Sequence, residues 1–348
     1  MQDWNIPHYS ARTKRFYNPT PPSGAARIGL LGSLKLVCQL AFARGERSPS
    51  APLPTVTPDM AALSAGAEPL KFIWFGHSTL LLNLDGVSIL IDPIFSASVS
   101  PFSFIFRRFQ PPPAALEALP NVDIILLSHD HYDHLDQRTI RFFRHRATRF
   151  IVPLKVGKHL RKWGIARERI TELDWFDSHR DGSLNFTATP SRHFSGRGLS
   201  DNGGTLWASW VIEGKSQRLF FSGDSAYDSH FQAIGKRFGS FDLAFIENGQ
   251  YDARWPDSHM TPEQTVQAAQ DLNARVFMPI HWGMFSLAFH PWWEPVARSS
   301  ALAAARQQAM ITPRLGEVAT PHQATTRWWE ALERRCPVAR HETQAESE

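Results

Sequence analysis

The sequence predicts an α/β protein with helices layered on a sheet. Three observations carry this. Short runs rich in isoleucine, leucine, valine and phenylalanine recur along the chain, bounded by Gly, Pro, Asp or Asn, as strands are. After residue 122 such runs alternate with stretches of helical period. Several of the runs stop at a histidine or an aspartate, so polar chemistry collects where strands end.

The densest of these ends is Ser128-His129-Asp130-His131-Tyr132-Asp133-His134-Leu135-Asp136, following the apolar run Val122–Leu127. Three histidines and three aspartates fall within the eight residues 129–136. In an extended loop His129 and His131 reach one cation from a common side, while Asp133 and His134 turn toward a second. A loop that only capped the helix Gln137–Arg146 would use Asp133 or Asp136 and no histidine. The pattern therefore reads as a metal site held by a rigid strand.

The chain of 348 residues, 43% hydrophobic, is long enough for one large domain or two small ones, and it carries no internal sequence repeat. Cys38 and Cys336 stand far apart and form neither a zinc knuckle nor a disulfide framework, which makes a reducing, cytoplasmic compartment the default. The net charge of +4 is modest but uneven. Residues 137–169 hold eleven Lys and Arg against one acid, Glu168. That flank suits an anionic substrate or surface, and equally a solvated helix face.

Residues 1–66 read as an extension with Pro-rich breaks. Within it Leu30, Leu31, Leu34, Val37, Cys38 and Ala41 fall at helical spacing. This amphipathic helix is too short to span a bilayer, and Lys35 within it argues against a signal peptide; it packs on the body or touches a membrane surface. Lys71–Phe75, Thr79–Leu84 and Val87–Ile91 are strands, the last two joined by Asp85-Gly86. Asp92 ends the third, where a carboxylate holds a ligand histidine from behind or simply starts a turn. His77, alone between two strands, reads as a structural histidine bonded to backbone. Ser96–Pro113 is a long loop with Phe102, Phe104, Phe106, Phe109 and Arg107-Arg108, suited to an amphiphile with an anionic head or to a small core of its own. Helix 137–146 turns Ile140 and Phe143 inward; strand 149–152 and a basic helix near 155–163 follow. Leu184–Thr189 runs toward His193, Arg218–Ser222 toward Asp224, and Arg275–Ile280 toward His281. His259 precedes Thr261-Pro262-Glu263-Gln264, a helix start with a Thr–Gln capping pair. Four strand ends thus offer nitrogen and oxygen ligands and no thiolate, which suits two divalent cations, with Asp224 as the carboxylate shared between them: zinc first, with iron or manganese open.

The histidine loop, Pro190-Ser-Arg-His193, Phe221-Ser-Gly-Asp224 and Ile280-His281-Trp-Gly resemble the metallo-β-lactamase superfamily. Longer stretches are similar to its N-acylphosphatidylethanolamine-hydrolysing phospholipase D branch: Arg15–Pro19, Gly76–Thr79, Asp92–Phe95, Glu172–Trp175, Leu206–Trp210 and Ile234–Gly239. The resemblance implies an αββα four-layer sandwich of two mixed β-sheets flanked by helices, with a catalytic domain over 67–315 and a C-terminal helix and disordered tail over 316–348. It implies one metal on His129, His131 and His193, the other on Asp133, His134 and His281, and Asp224 between them. It also brings His259 toward the reaction centre, where on the residues alone it reads equally as a surface histidine. A water bridging the two cations is acidified and attacks the electrophile; Asp133 and Asp224 orient it, and His259 donates to the phosphoryl oxygen or the leaving group.

The expected activity is binuclear, metal-dependent hydrolysis of phospholipase D type on N-acylphosphatidylethanolamine-like lipids, with peripheral membrane contact and a homodimer as open partners. Against the lipid stands one departure: Glu247-Asn248-Gly249-Gln250-Tyr251 occupies the place where the branch runs Pro-Ile-Gly-Ala-Tyr. A soluble phosphodiester or lactone is the alternative substrate, and a purely structural metal site a third reading. No basic–aromatic repeat or added module points to nucleic acid.

Overall fold

The computed structural model describes residues 7–23, 32, 35–36, 38–40, 46–198 and 200–333. Two seven-stranded sheets make up its centre. Strand β1 (Tyr9–Ser10) and β2 (Arg15–Phe16) form a separate hairpin near the N-terminus. The first large sheet holds β3 (Leu70–Trp74), β4 (Leu80–Leu84), β5 (Val87–Ile91), β6 (Ile124–Leu126), β7 (Arg149–Pro153) and β8 (Ile170–Leu173) in sequence order. The second holds β9 (Ser178–Asp181), β10 (Leu184–Thr189), β11 (Ser209–Glu213), β12 (Arg218–Phe221), β13 (Leu243–Glu247), β14 (Val276–Ile280) and β15 (Ala309–Met310). β16 (Val318–Ala319) returns to the first sheet and pairs beside β3.

Both sheets follow one scheme, three antiparallel pairings and then three parallel ones. No sequence repeat betrays this, because a pairing scheme requires only period-two patterning, not particular residues.

That patterning explains the layers. On β3, Phe72 and Trp74 point into the core between the sheets, while Ile73 and the following Phe75 face the outside. On the second sheet Trp210, Phe221 and Phe245 point inward, and Val211, Phe220 and Ala244 outward. Phe72 meets Phe245 edge to face across the gap at 5.2 Å between centroids. Helices cover both outer faces. α2 (Gln137–Phe142) is capped by Asp136, whose side chain accepts from Arg138 N–H, and it buries Ile140 on the first sheet; Asp133 takes no part in the cap. α3 (Gly157–Lys162) buries Leu160 there, and α1 (Met60–Ser64) buries Leu63. On the second sheet lie α4 (His230–Phe238), α5 (Pro262–Asp271) and α6 (Glu294–Ala305). α5 starts with the Thr261–Gln264 capping box and Pro262 that its sequence predicts. The protein is an αββα sandwich.

Asp85 and Gly86 take φ of +52° and +84°, as a two-residue hairpin between β4 and β5 demands. The long 96–113 loop leaves Phe102 and Phe104 58% and 71% exposed, while Phe106 and Phe109 pack against the core. Near the C-terminus Trp328, Trp329 and Leu332 are buried, and α7 spans Glu330–Glu333. Leu30, Leu31, Leu34, Val37, Ala41 and Cys336, with the final tail, lie outside the described residues; Cys38 is exposed. Among the described residues no helix is long and apolar enough to cross a membrane.

Gly235 lies at a close approach of α4 to α5: a Cβ placed there would lie 2.2 Å from the Asp271 carbonyl oxygen. Alanine favours an isolated helix by ~1 kcal/mol over glycine, but overpacking costs about 1–3 kcal/mol. Gly235→Ala is expected to lower the urea midpoint, and an unchanged or raised midpoint would show that the helices separate freely.

Candidate metal centre

The site sits at one end of the sandwich, where loops leaving both sheets meet. The His77 turn after β3 and the His281 turn after β14 are joined by backbone bonds: His77 N–H donates to Trp282 O at 3.0 Å, and His281 N–H to His77 O at 3.0 Å. The second sheet is also tied to the histidine loop, by Ala208 N–H to Ser128 O and Trp210 Nε1–H to Leu127 O, both 3.0 Å. His77, Asp92 and His281 adopt φ of +52°, +39° and +67°. Non-glycine residues rarely enter that region, and such strain gathers where a side chain must be aimed.

All seven residues expected as ligands come together, in two groups. His129, His131, His193 and Asp224 have ligand atoms within 4.8 Å of one another, and so do His77, Asp133, His134 and His281. Asp224 faces both. Its Oδ2 lies 3.8 Å from His129 Nε2 and 3.6 Å from His193 Nε2. Its Oδ1 lies 3.1 Å from His134 Nε2 and 3.1 Å from His281 Nδ1.

Polar groups behind the rings fix their orientation. Asp92 Oδ2 holds His134 Nδ1 at 2.7 Å, Ser128 Oγ lies 2.9 Å from His129 Nδ1, and Ser258 O lies 3.0 Å from His193 Nδ1. Asp92 thus takes the supporting place and not the turn-starting one. Asp130 looks away from the cluster: it accepts from Gly196 N–H and pairs with His159 Nε2 at 3.0 Å. Arg197 straps the loop by donating to the carbonyls of Asp130 and Leu135.

Two residues of the site were not legible in the role they take: His77, and Glu247, which the sequence marked only as an acid at a strand end facing the site. The reading of His77 as backbone-bonded and structural is corrected. Its backbone does bond Trp282, but its Nε2 lies 2.9 Å from Asp133 Oδ2 and the ring sits 4.0 Å from that of His281. A lone histidine carries no spacing signal; only the meeting of the two turns reveals its place. Glu247, the last residue of β13, is fully buried and lies 2.8 Å from His259 Nδ1 through Oε2. His259 in turn packs beside His193 and His281, at 5.3 and 5.1 Å between ring centroids. It is therefore a residue of the site and not of the open surface.

The donor chemistry fits divalent cations. His134 Nε2, His281 Nε2 and Asp224 Oδ1 are buried and make no hydrogen bond. His131 Nδ1 points at His129 Nε2 at 2.9 Å and at His193 Nε2 at 3.2 Å, nitrogens converging as around a shared positive ion. Burial pushes His129, His193 and His281 well down and His131 to about 4, so these rings are neutral and open to coordination. Burial pushes the Asp224 carboxyl up to about 6 against the pull of His134. For His134 burial acts downward, but Asp224 and Asp133 override it and hold the ring well above its ordinary value.

Residues 88–282 match the family model described as the beta-lactamase superfamily domain, more than half of the chain. The chain belongs to the metallo-β-lactamase superfamily. Relatives reach beyond that core. An uncharacterized protein of Mycobacterium tuberculosis is 43% identical over 291 residues, 82% of this chain and 77% of its own. The N-acyl-phosphatidylethanolamine-hydrolyzing phospholipase D 1 of Caenorhabditis elegans is 33% identical over 279 residues, 75% of this chain and 76% of its own. Among solved structures, a metallo hydrolase of Ignicoccus hospitalis covers 72% of this chain and 97% of its own at 20% identity, with a TM-score of 0.56; it shares the fold. The protein is a metal-dependent hydrolase of the metallo-β-lactamase superfamily.

Proton competition gives this superfamily site a pH signature. As pH falls through about 6 the metal-free Asp224 takes up a proton, which opposes cation binding, while at higher pH it is a ready carboxylate. Zinc retained after dialysis, read by atomic emission, is expected to drop as pH is lowered through that range, and zinc binding near pH 6 should release protons in calorimetry. Retention that stays flat across the range would remove Asp224 from the ligand set.

Proposed function

We propose that the protein is a binuclear, zinc-type phosphodiesterase of phospholipase D kind, acting on an amphiphile such as an N-acylated ethanolamine phospholipid. The observation that carries this reading is a surface pocket lined in part by residues that flank the metal ligands in sequence. A pocket of about 570 Å³ is lined by Tyr132 of the metal loop, by Arg138, Arg141 and Arg197, and by the serine-rich 96–103 segment. The exposed Phe102 lies within that segment and the exposed Phe104 directly follows it. The guanidinium groups of Arg138 and Arg141 suit a phosphate, Arg197 being held by the loop carbonyls, and exposed rings suit acyl chains or a lipid surface. The likeness to the C. elegans phospholipase supports the same substrate class.

Two bound divalent cations would acidify a water and neutralise phosphoryl oxygens as the diester is attacked. His129, His131 and His193 would hold one and Asp133, His134 and His281 the other, with Asp224 between. Asp133 and Asp224 also orient the attacking water. His77, 2.9 Å from Asp133 Oδ2, fixes that carboxylate's direction. The water's oxygen bonds to phosphorus while the bond from phosphorus to the ethanolamine oxygen breaks. His259 Nε2 takes up the proton that the attacking water sheds and passes it to the leaving oxygen, so the alcohol departs neutral and the phosphatidate keeps the charge. A second reading, a soluble phosphodiester or lactone, is favoured by Glu247, a buried acid at the site where the branch has proline.

Micellar N-acylphosphatidylethanolamine assayed beside a soluble diester separates the two. The lipid is expected to be turned over with the higher kcat/KM, and Phe102→Ser with Phe104→Ser should raise its KM while sparing the soluble diester. Preference for the soluble compound would favour the second reading. His259→Ala is expected to cut kcat by about 10²- to 10⁴-fold with metal content intact; equal turnover would remove His259 from the reaction.

A further inference from the structure

Glu247 occupies a position whose pattern calls for an apolar residue. Leu243, Ala244, Phe245 and Ile246 before it in β13 are all buried and apolar, and Glu247 itself is 0% exposed. Burying a carboxylate is costly unless each oxygen has a partner. Both do. Oε1 accepts from Met260 N–H, and Oε2 meets His259 Nδ1 at 2.8 Å. Among the described residues no lysine or arginine pairs with it; its side-chain partner is His259, and burial drives its carboxyl well up against the pull of Met260 N–H. The backbone is pinned as well, with N–H donating to Ser222 Oγ and C=O accepting from Thr265 Oγ1, both at 2.9 Å. The carboxylate is therefore held in place before any ligand arrives.

The consequence falls on His259. A neutral imidazole has one N–H and one lone pair, and the partner of one nitrogen decides the role of the other. Met260 N–H already supplies a donor to Oε1, so Oε2 is the oxygen turned to Nδ1. A proton on Nδ1 leaves Nε2 as the working nitrogen. The ring stacks on His281 at 17° between planes, and ligand atoms of Asp224, Glu247, His259 and His281 lie within 4.8 Å of one another, so the pair stands at the metal centre itself. A carboxylate behind a histidine also stabilises the imidazolium that forms when the ring carries a proton, the logic by which an aspartate serves a catalytic triad.

We propose that Glu247 is a positioning residue, whose carboxylate holds His259 as the Nδ1–H tautomer and commits Nε2 to the substrate. This rests on the role given to His259 above and goes beyond it by naming the group that sets its orientation. A structural carboxylate that merely satisfied Met260 N–H would be replaced by an amide at no cost to turnover. A positioning carboxylate would not, because a glutamine must offer NH₂ to one of two donors and so loses Met260 or turns the His259 ring around.

The test uses the full-length protein loaded with zinc, with bis(p-nitrophenyl) phosphate and micellar N-acylphosphatidylethanolamine as substrates. Glu247→Gln is expected to lower kcat about 10²- to 10³-fold with KM within about twofold and zinc content unchanged. The double variant Glu247→Gln, His259→Ala should fall no further than His259→Ala alone, because Glu247 acts through that ring. Glu247→Asp keeps a carboxylate and should recover part of the loss; it also serves if the glutamine variant does not fold. Nitrogen-15 NMR of histidine-labelled protein gives a readout independent of turnover. One ring, absent in His259→Ala, should show a protonated Nδ1 in the wild type and should change tautomer in Glu247→Gln. Full turnover in Glu247→Gln, a double variant that loses the product of both effects, or an unchanged tautomer would each overturn the proposal. If wild-type protein hydrolyses neither substrate, the function proposed above fails, and the tautomer measurement still decides the role of Glu247.

Discussion

Seven imidazole and carboxylate side chains, five buried and two half-buried, lie within a few ångströms of one another, and the whole end of the molecule is built around that costly arrangement. Without positive charge among them, two carboxylates and five rings would have to share protons, as the raised Asp224 and His134 values express. Divalent cations resolve the conflict, because nitrogen lone pairs and carboxylate oxygens that cannot satisfy each other satisfy a cation. Asp224 is the hinge of the arrangement. Its two oxygens face different histidine groups, so it cannot move without disturbing both.

The sandwich supplies rigidity where the chemistry needs it. Each sheet ends its parallel strands at the same end of the molecule, and turns leaving them carry the histidine loop, Asp224 and His281. Backbone bonds between the His77 and His281 turns lock one sheet to the other beside the cluster. Positive φ at His77, Asp92 and His281 is the local cost of aiming those side chains inward, sustained by the large apolar core below. Asp92, Ser128 and Ser258 then set each ring's rotation, leaving the facing nitrogens in place.

Around this centre the surface is specialised in two directions. Toward solvent, the arginine-lined pocket and the Phe102–Phe104 loop suit an anionic amphiphile. Toward the interior, the buried Glu247 meets His259 Nδ1 at 2.8 Å. The metal ligands and their surroundings thus answer different questions. The ligands carry the hydrolytic chemistry, and in the reading proposed above the pocket and the Glu247–His259 pair govern what that chemistry meets.

The sequence by itself determined the strands β3, β4 and β5, the hairpin at Asp85-Gly86, the cap of α5 and the histidine loop, because each rests on local periodicity, turn chemistry or close spacing. It also marked His193, Asp224, His259 and His281 as candidates through the strand ends or the resemblance. The two-residue edge strands β15 and β16 and the short β8 and β9 escaped, being too brief or too exposed to show a period. Tertiary structure alone decided that His77 belongs to the site and that Glu247 backs His259. Those facts depend on two turns and two strand ends meeting, and the energy of a contact between residues remote in sequence leaves no mark on either local pattern.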